Sequence, residues 1–430
     1  MEGSTVGLAT DDTRNPKEEA KPSRAVEPIE GTRAWIVVFG SFCLHFVVLG
    51  NLYSSGLYLP SYEERFELSR AEVSFIVQLQ AGVKFTVGAI AGKLTDRYGL
   101  KWILSSNIVL YVSGYILASF GTSFTHLLLT QGIMVGISNG MLYWGSISLV
   151  SMWFKKKRGL ASGFSTLGSG LGNFAIGILT EKWINEKGTA YALRGIGILS
   201  GVLLLIAFFC LKRRLPLVDR MSPCSDRDIL TKRDFQFILF GTLFFQVGYQ
   251  MPFAHLPSYI EDIGLRNDTA AIAVAQLGLG SAFGRILLGW LSDKIGRMKM
   301  FRYVLFASTG MMLSWLFADT EVGVISFAFA FGFFSGGFIA LVFPVCADFY
   351  GSRRLGGVAG YIALCLVPGA YLGPYLAGFI FDADGNYDNA IFVGAGCILA
   401  SSLALTQVSN PPERPRVESD QEVRVGSTDV

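Results

Sequence analysis

Two turns in this chain, about half its length apart, carry the same charged, glycine-punctuated pattern at the end of an apolar run. The copies read GKLTDRYGLK over residues 92–101 and GWLSDKIGRMK over residues 289–299. Asp96 matches Asp293, Arg97 matches Lys294, and Gly99 matches Gly296. One such turn would be an ordinary solvated loop. Two in register, each embedded in apolar sequence, point to a membrane chain built twice from one helical unit.

The apolar sequence suffices for many crossings of a bilayer. Of 430 residues, 51% are hydrophobic and only 16% charged, against roughly a quarter charged in soluble chains. A spanning helix needs about 20 apolar residues. Twelve candidates lie near 34–57, 72–92, 101–121, 126–150, 159–180 and 195–211, then 236–257, 270–291, 301–318, 322–346, 355–380 and 389–408. Interior prolines such as Pro252, Pro344, Pro368 and Pro374 are tolerated there because neighbouring helices re-satisfy the freed backbone groups. The expected fold class is therefore an all-α membrane protein with 12 transmembrane helices in two pseudo-symmetric six-helix bundles. The bundles span 34–211 and 236–408, joined by a cytosolic linker over 212–235. The polar tails 1–33 and 409–430 read as disordered and cytosolic, and no cleaved signal peptide is expected.

Most of the 36 Lys and Arg fall in alternate inter-span segments, including KKKR at 155–158 and the linker. That asymmetry places both termini in the cytoplasm of a multi-pass protein, with the plasma membrane as its expected location. The net charge of +3 is thus topological, so the partner is the lipid bilayer and no nucleic acid is expected. Cys43, Cys210, Cys346, Cys365 and Cys397 fall in or beside apolar spans and suggest no disulfide framework. His45, His126 and His255 show no metal-ligand spacing, there is no CxxC, and no paired catalytic carboxylates stand at mid-span. No metal, no cofactor and no enzymatic activity are expected.

The duplicated turn resembles the loop between the second and third helices of each half in the major facilitator superfamily. Two further stretches narrow the resemblance. EGTRAWIVVFG (30–40) and WFKKKRGLASGFSTLGSGLG (153–172) are similar to the two signatures of its monocarboxylate transporter family, especially the fungal branch. ADFYGSRRLGGVAG (347–360) resembles the loop before that branch's eleventh helix. The first signature is degraded, since Thr32 stands where a second Gly is usual. The resemblance implies alternating access between two six-helix halves. It also implies a gating role for Asp96, Arg97, Asp293 and Lys294, whose loops latch helices in one conformation and release them in the other.

Glycines at 159, 163, 168 and 172, and at 280 and 284, fall four apart and read as close helix-packing faces. The run after Gly168 follows no strand, so it is not a dinucleotide fingerprint.

Two cations lie deep within spans. Lys84 sits mid-way through the second and Arg285 in the eighth. A buried membrane charge costs at least about 2.5–3.5 kcal/mol on insertion scales and is by default functional. The family places an Arg at the eighth-helix position and turns it toward substrate carboxylate, which a guanidinium holds with two parallel hydrogen bonds. Two departures accompany it. The Lys of the animal carriers' first helix is here Tyr53, and the acid one turn before the eighth-helix Arg is here Ser281. The resemblance therefore implies that lactate-type proton coupling is lost in its familiar form. His45, His255 and Asp348 remain as titratable candidates, with His45 on the first helix foremost.

Pseudo-symmetry makes the first, fourth, seventh and tenth helices the central lining. Gln80, Asn139, Tyr143, Trp144, Tyr249 and Gln250 are polar or aromatic candidates within spans. The expected substrate-contacting set is Arg285, Lys84, Tyr53, His45, Gln80, Tyr143 and Gln250. The positive bias and the 13% aromatic content suit a bulky anionic organic molecule, with a coupled proton as candidate co-substrate. The resemblance directs the expectation to efflux of an acidic fungal secondary metabolite. The alternatives are uptake of a monocarboxylate or a vitamin such as riboflavin, or a non-transporting sensor with this fold. Asn267, Asp268 and Thr269 form a sequon between the seventh and eighth spans, a candidate glycosylation site.

Overall fold

The computed structural model describes residues 29–67, 70–214, 227–352 and 354–411. Twelve long helices run in order through them. The first six are α1 (Thr32–Ser54), α2 (Arg70–Tyr98), α3 (Leu100–Ser119), α4 (Phe124–Trp153), α5 (Arg158–Lys187) and α6 (Thr189–Cys210). The second six are α7 (Arg233–Asp262), α8 (Asn267–Ile295), α9 (Arg297–Ser314), α10 (Glu321–Tyr350), α11 (Leu355–Asp384) and α12 (Asp388–Thr406). A 3-10 turn (Ser55–Tyr58) and a short helix (Leu59–Phe66) follow α1. The opening of α4 passes through a π-helical stretch, Leu128–Met134.

Eleven of the twelve helices are both long enough and apolar enough to cross a bilayer. The other, α5, has the length but carries Gly, Ser and Thr through its centre. Those small residues face helices, not lipid. A Cβ at Gly168 would lie 2.3 Å from the Phe42 carbonyl oxygen of α1, and one at Gly159 would lie 2.4 Å from the Gly289 carbonyl oxygen of α8. Close backbone approach of this kind is what small residues permit inside a membrane. Several helices outrun their apolar cores: α2 continues through the duplicated turn's acid to Tyr98, and α5 continues to Lys187. Helix ends can project beyond the hydrocarbon layer, so an apolar window marks less than the whole helix.

The duplication is visible in the backbone. Gly99 ends α2 at φ +88° and Gly296 ends α8 at φ +102°, so each turn reverses the chain through one left-handed residue. A side chain is strained there, which accounts for Gly at both places. Packing repeats as well: α1 lies on α5 as α7 lies on α11, and α2 on α4 as α8 on α10.

Between halves, contact runs through α5 on α8 and α2 on α11. Backbones meet at the end bearing the duplicated turns, where a Cβ at Gly92 would lie 2.2 Å from the Gly356 carbonyl oxygen. Nearer the other end, Tyr371 of α11 donates to the Gln78 carbonyl oxygen of α2 at 3.0 Å.

Candidate functional site

The middle of the helix bundle gathers both intramembrane cations. Arg285 is 3% exposed, and its Nη1 donates to the Thr166 carbonyl oxygen of α5 at 2.6 Å and to Ser169 Oγ. Its Nε has no hydrogen-bond partner. Gly163 lets α5 offer these acceptors, since a Cβ there would strike the Arg285 backbone. Lys84 is equally enclosed, its Nζ 4.5 Å from the ring centre of Phe85 and 5.1 Å from that of Tyr143. Ammonium over aromatic faces is favourable and strengthens with desolvation.

His45 stands edge-on to the same tyrosine, with ring centres 5.1 Å apart. Its Nδ1 donates to the Ser41 carbonyl oxygen at 2.8 Å, which leaves Nε2 as an acceptor without a partner. Both Lys84 and Arg285 act electrostatically on His45. Tyr53, Tyr143 and Tyr249 lie in the field of Arg285. An aromatic wall continues from Tyr143 to Trp144 and on to Phe343 of α10. Tyr53 is 50% exposed. Among the described residues, no Asp or Glu pairs with Lys84 or Arg285.

The structure thus groups His45, Tyr53, Lys84, Tyr143 and Arg285. It places two other candidates elsewhere. Gln80 is fully buried beside Tyr115 inside the N-terminal half, and Gln250 has its Cβ against Gly373 of α11. Tyr249 takes the central position on α7 in its place, because adjacent residues on a helix point about 100° apart. Thr166 and Ser169 also belong to the site, hidden in sequence within a stretch that reads as packing.

At the end bearing the duplicated turns lies a polar clasp between the halves. Asp293 accepts from the backbone N–H groups of Gly159 and Leu160, both at 2.9 Å, capping α5 from the other half. A carboxylate there meets unpaired amides and the positive end of the helix dipole. Arg297 Nε donates to Asp293 at 2.8 Å, and its Nη1 spans both oxygens of Asp348 at 2.9 Å. Arg158 donates to the same Asp348 at 2.5 Å, and Arg297 Nη2 reaches the Lys155 carbonyl oxygen. Asp348 is thereby an ion-pair centre. His255 bonds Tyr387 and the Pro374 carbonyl oxygen, a packing partner between α7 and α11.

Of the four gate candidates, Asp293 lies in this clasp. Lys294 instead stacks on Trp290 at 3.7 Å and Arg97 on Tyr98 at 5.4 Å, each within its own helix. The side chains of Asp96 and Asn267 lie outside the described residues. The sequon's Thr269 is fully buried and donates to Glu321, which withdraws its hydroxyl from the surface of the folded protein.

The two signature stretches hold one another. Glu30 Oε1 accepts from the backbone amides of Lys155, Lys156 and Lys157 at 2.9, 2.5 and 2.9 Å. Its own amide donates to the Trp153 carbonyl oxygen. Three convergent amides make an anion nest. Partial burial works to raise the carboxyl pKa, but the three amides and the Lys157 charge outweigh it and hold it below the ordinary value.

The sequence matches the family model of the Major Facilitator Superfamily over residues 41–365 and 238–428. The chain belongs to the major facilitator superfamily. Within this superfamily its relatives are fungal transporters and animal monocarboxylate transporters. It is 28% identical to the MFS transporter asaE of Aspergillus flavus, covering 93% of this chain and 92% of that one. It is 28% identical to the fujikurins efflux protein of Gibberella fujikuroi, over 90% and 85% of the two chains. Monocarboxylate transporter 13 of Bos taurus is 27% identical over 88% and 90%. The fold is that of the superfamily transporter FucP in its outward conformation, with a TM-score of 0.72 at 16% identity, covering 87% of this chain and 98% of that one.

Proposed function

We propose that this superfamily transporter moves an acidic or amphipathic small organic molecule by alternating access, and that its task is efflux of a fungal secondary metabolite. The carrying observation is the pair of enclosed cations, Lys84 and Arg285, walled by Tyr143, Trp144 and Tyr249 and paired with no acid among the described residues. Such a site favours a carboxylate attached to an apolar or aromatic body. The name of the fujikurins efflux protein supports the direction.

Arg285 gives binding a way to act on the helices. Its Nη1 holds α5 through Thr166 and Ser169, while Nε is free. A substrate carboxylate competes for that guanidinium and weakens the α5–α8 contact. A ligand shifts a conformational equilibrium only through such differential contacts. With both termini cytoplasmic, as the cation distribution implies, the clasped end faces the cytosol and the cavity opens outward. A co-transported proton has His45 Nε2 as its acceptor in this reading.

Flux into proteoliposomes, detected by mass, tests the substrate class. A bulky aromatic acid is transported and its methyl ester is not; equal rates for the two would refute an anionic substrate.

A further inference from the structure

The N-terminal half encloses a second polar region that the cavity does not use. Tyr111 and Tyr115 of α3 are wholly buried with ring centres 5.2 Å apart; Asn51 and Ser200 lie near the Tyr111 hydroxyl and Gln80 near that of Tyr115, but neither hydroxyl is in hydrogen-bond geometry with them. The Tyr58 hydroxyl is buried in reach of Tyr115 and Thr180 but in hydrogen-bond geometry with neither. Gln80 of α2 and Asn139 of α4 are wholly buried, with both amide atoms of each unbonded. Gln131 Oε1 accepts from the Tyr62 hydroxyl at 2.7 Å, but its nitrogen has no partner.

Buried amides and phenols are almost always satisfied, because leaving them bare forfeits their hydration. Here Tyr58, Tyr62, Tyr111, Tyr115 and Gln80 lie within electrostatic reach of one another in the N-terminal half. They include donors as well as acceptors, which suits an occupant that is both. Gln131 also lies in the π-helical stretch of α4, a rare geometry that recurs at functional sites. Gln80 precedes Lys84 by one helical turn, and the contacts of the Lys84 ammonium are two aromatic rings.

We propose that Tyr58, Tyr111, Tyr115, Gln80 and Gln131 form an internal water-binding site, whose hydrogen-bonded chain reaches the Lys84 ammonium through Gln80. Water supplies both donor and acceptor, and buried waters make about three such bonds each. The chain keeps Lys84 solvated inside the membrane, from behind the cavity.

Radiolytic hydroxyl-radical footprinting of the full chain in nanodiscs reads this directly, since radicals formed from bound water oxidise the side chains beside it. Tyr111 and Tyr115 are expected to oxidise several-fold faster than Phe245 and Phe331, which are equally buried in apolar packing. Tyr115→Phe is expected to slow oxidation of Tyr111 several-fold. Wild-type tyrosine rates no higher than those of Phe245 and Phe331 overturn the site, and this arm requires no variant to fold. An unchanged Tyr111 rate in a folded Tyr115→Phe protein overturns it as well.

Discussion

The carboxylate of Asp293 sits 2.9 Å from the amide nitrogen of Gly159, so an acid from one half of the molecule caps a helix of the other. The cap is out of sequence register by most of a half-chain, and nothing local requires it. Its effect is to join α8 to α5 where Gly159 and Gly289 already bring the backbones into contact. Asp293→Ala removes three charge-assisted hydrogen bonds, two from the α5 amides and one from Arg297, each worth about 1.5–3 kcal/mol. The variant is expected to insert and fold, yet to expose a cysteine placed at Leu160 to a cytosolic thiol reagent several-fold faster. Unchanged labelling would show that the cap does not hold this end shut.

The ion-pair centre predicts an ordering of costs. Asp348 serves both Arg158 and Arg297, so Asp348→Ala takes one acid from two largely buried guanidiniums, Arg297 keeping Asp293. Arg158→Ala leaves Asp348 its two bonds from Arg297. Breaking a buried pair from one side costs about 3–5 kcal/mol, and this partly exposed cluster lies below that range. Thermal unfolding in detergent should therefore show a larger loss of Tm for Asp348→Ala than for Arg158→Ala. The reverse order contradicts the placement of Asp348 at the centre.

Glu30 gives a pH signature. The amides of Lys155, Lys156 and Lys157 hold its carboxyl below the ordinary value, so the folded state favours the charged form. A depressed carboxyl stabilises the fold above its unfolded pKa, about 4.3, and that contribution fades as pH falls through the folded value. Glu30→Gln should lower Tm at pH 7 and converge on wild type in acid. A difference in Tm that persists unchanged to the lowest pH at which both proteins fold would assign the effect to packing instead.

How much of this was legible in sequence depends on whether the signal was local or paired across the chain. Gly99 and Gly296 announced the duplication because a one-residue left-handed turn admits almost nothing else. Helix α5 was legible as a span at 159–180 despite the polar GFSTLGSGLGN, but that α1 and α8 cover its small residues was not. Arg285 and Lys84 were legible because a membrane charge is conspicuous anywhere. Arg158 and Arg297 were not, for they looked like two more of the cytosolic cations that set topology. Only tertiary pairing with Asp348 distinguishes them. Gln80 and Gln250 show the same limit: their spans were evident, but which face met the cavity was not. Tyr249 in place of Gln250 is one residue, and about 100° of helix, away.

The central claim is that Arg285 grips both α5 and the substrate's carboxylate. Flux of one bulky aromatic acid through proteoliposomes, compared among wild type, Arg285→Lys and Arg285→Gln, tests it most directly. The charge-retaining Lys lacks the bidentate fork, so partial transport is expected from it and none from Gln, with both variants folded. Wild-type flux in Arg285→Gln would contradict the account, leaving the arginine as a tie between helices.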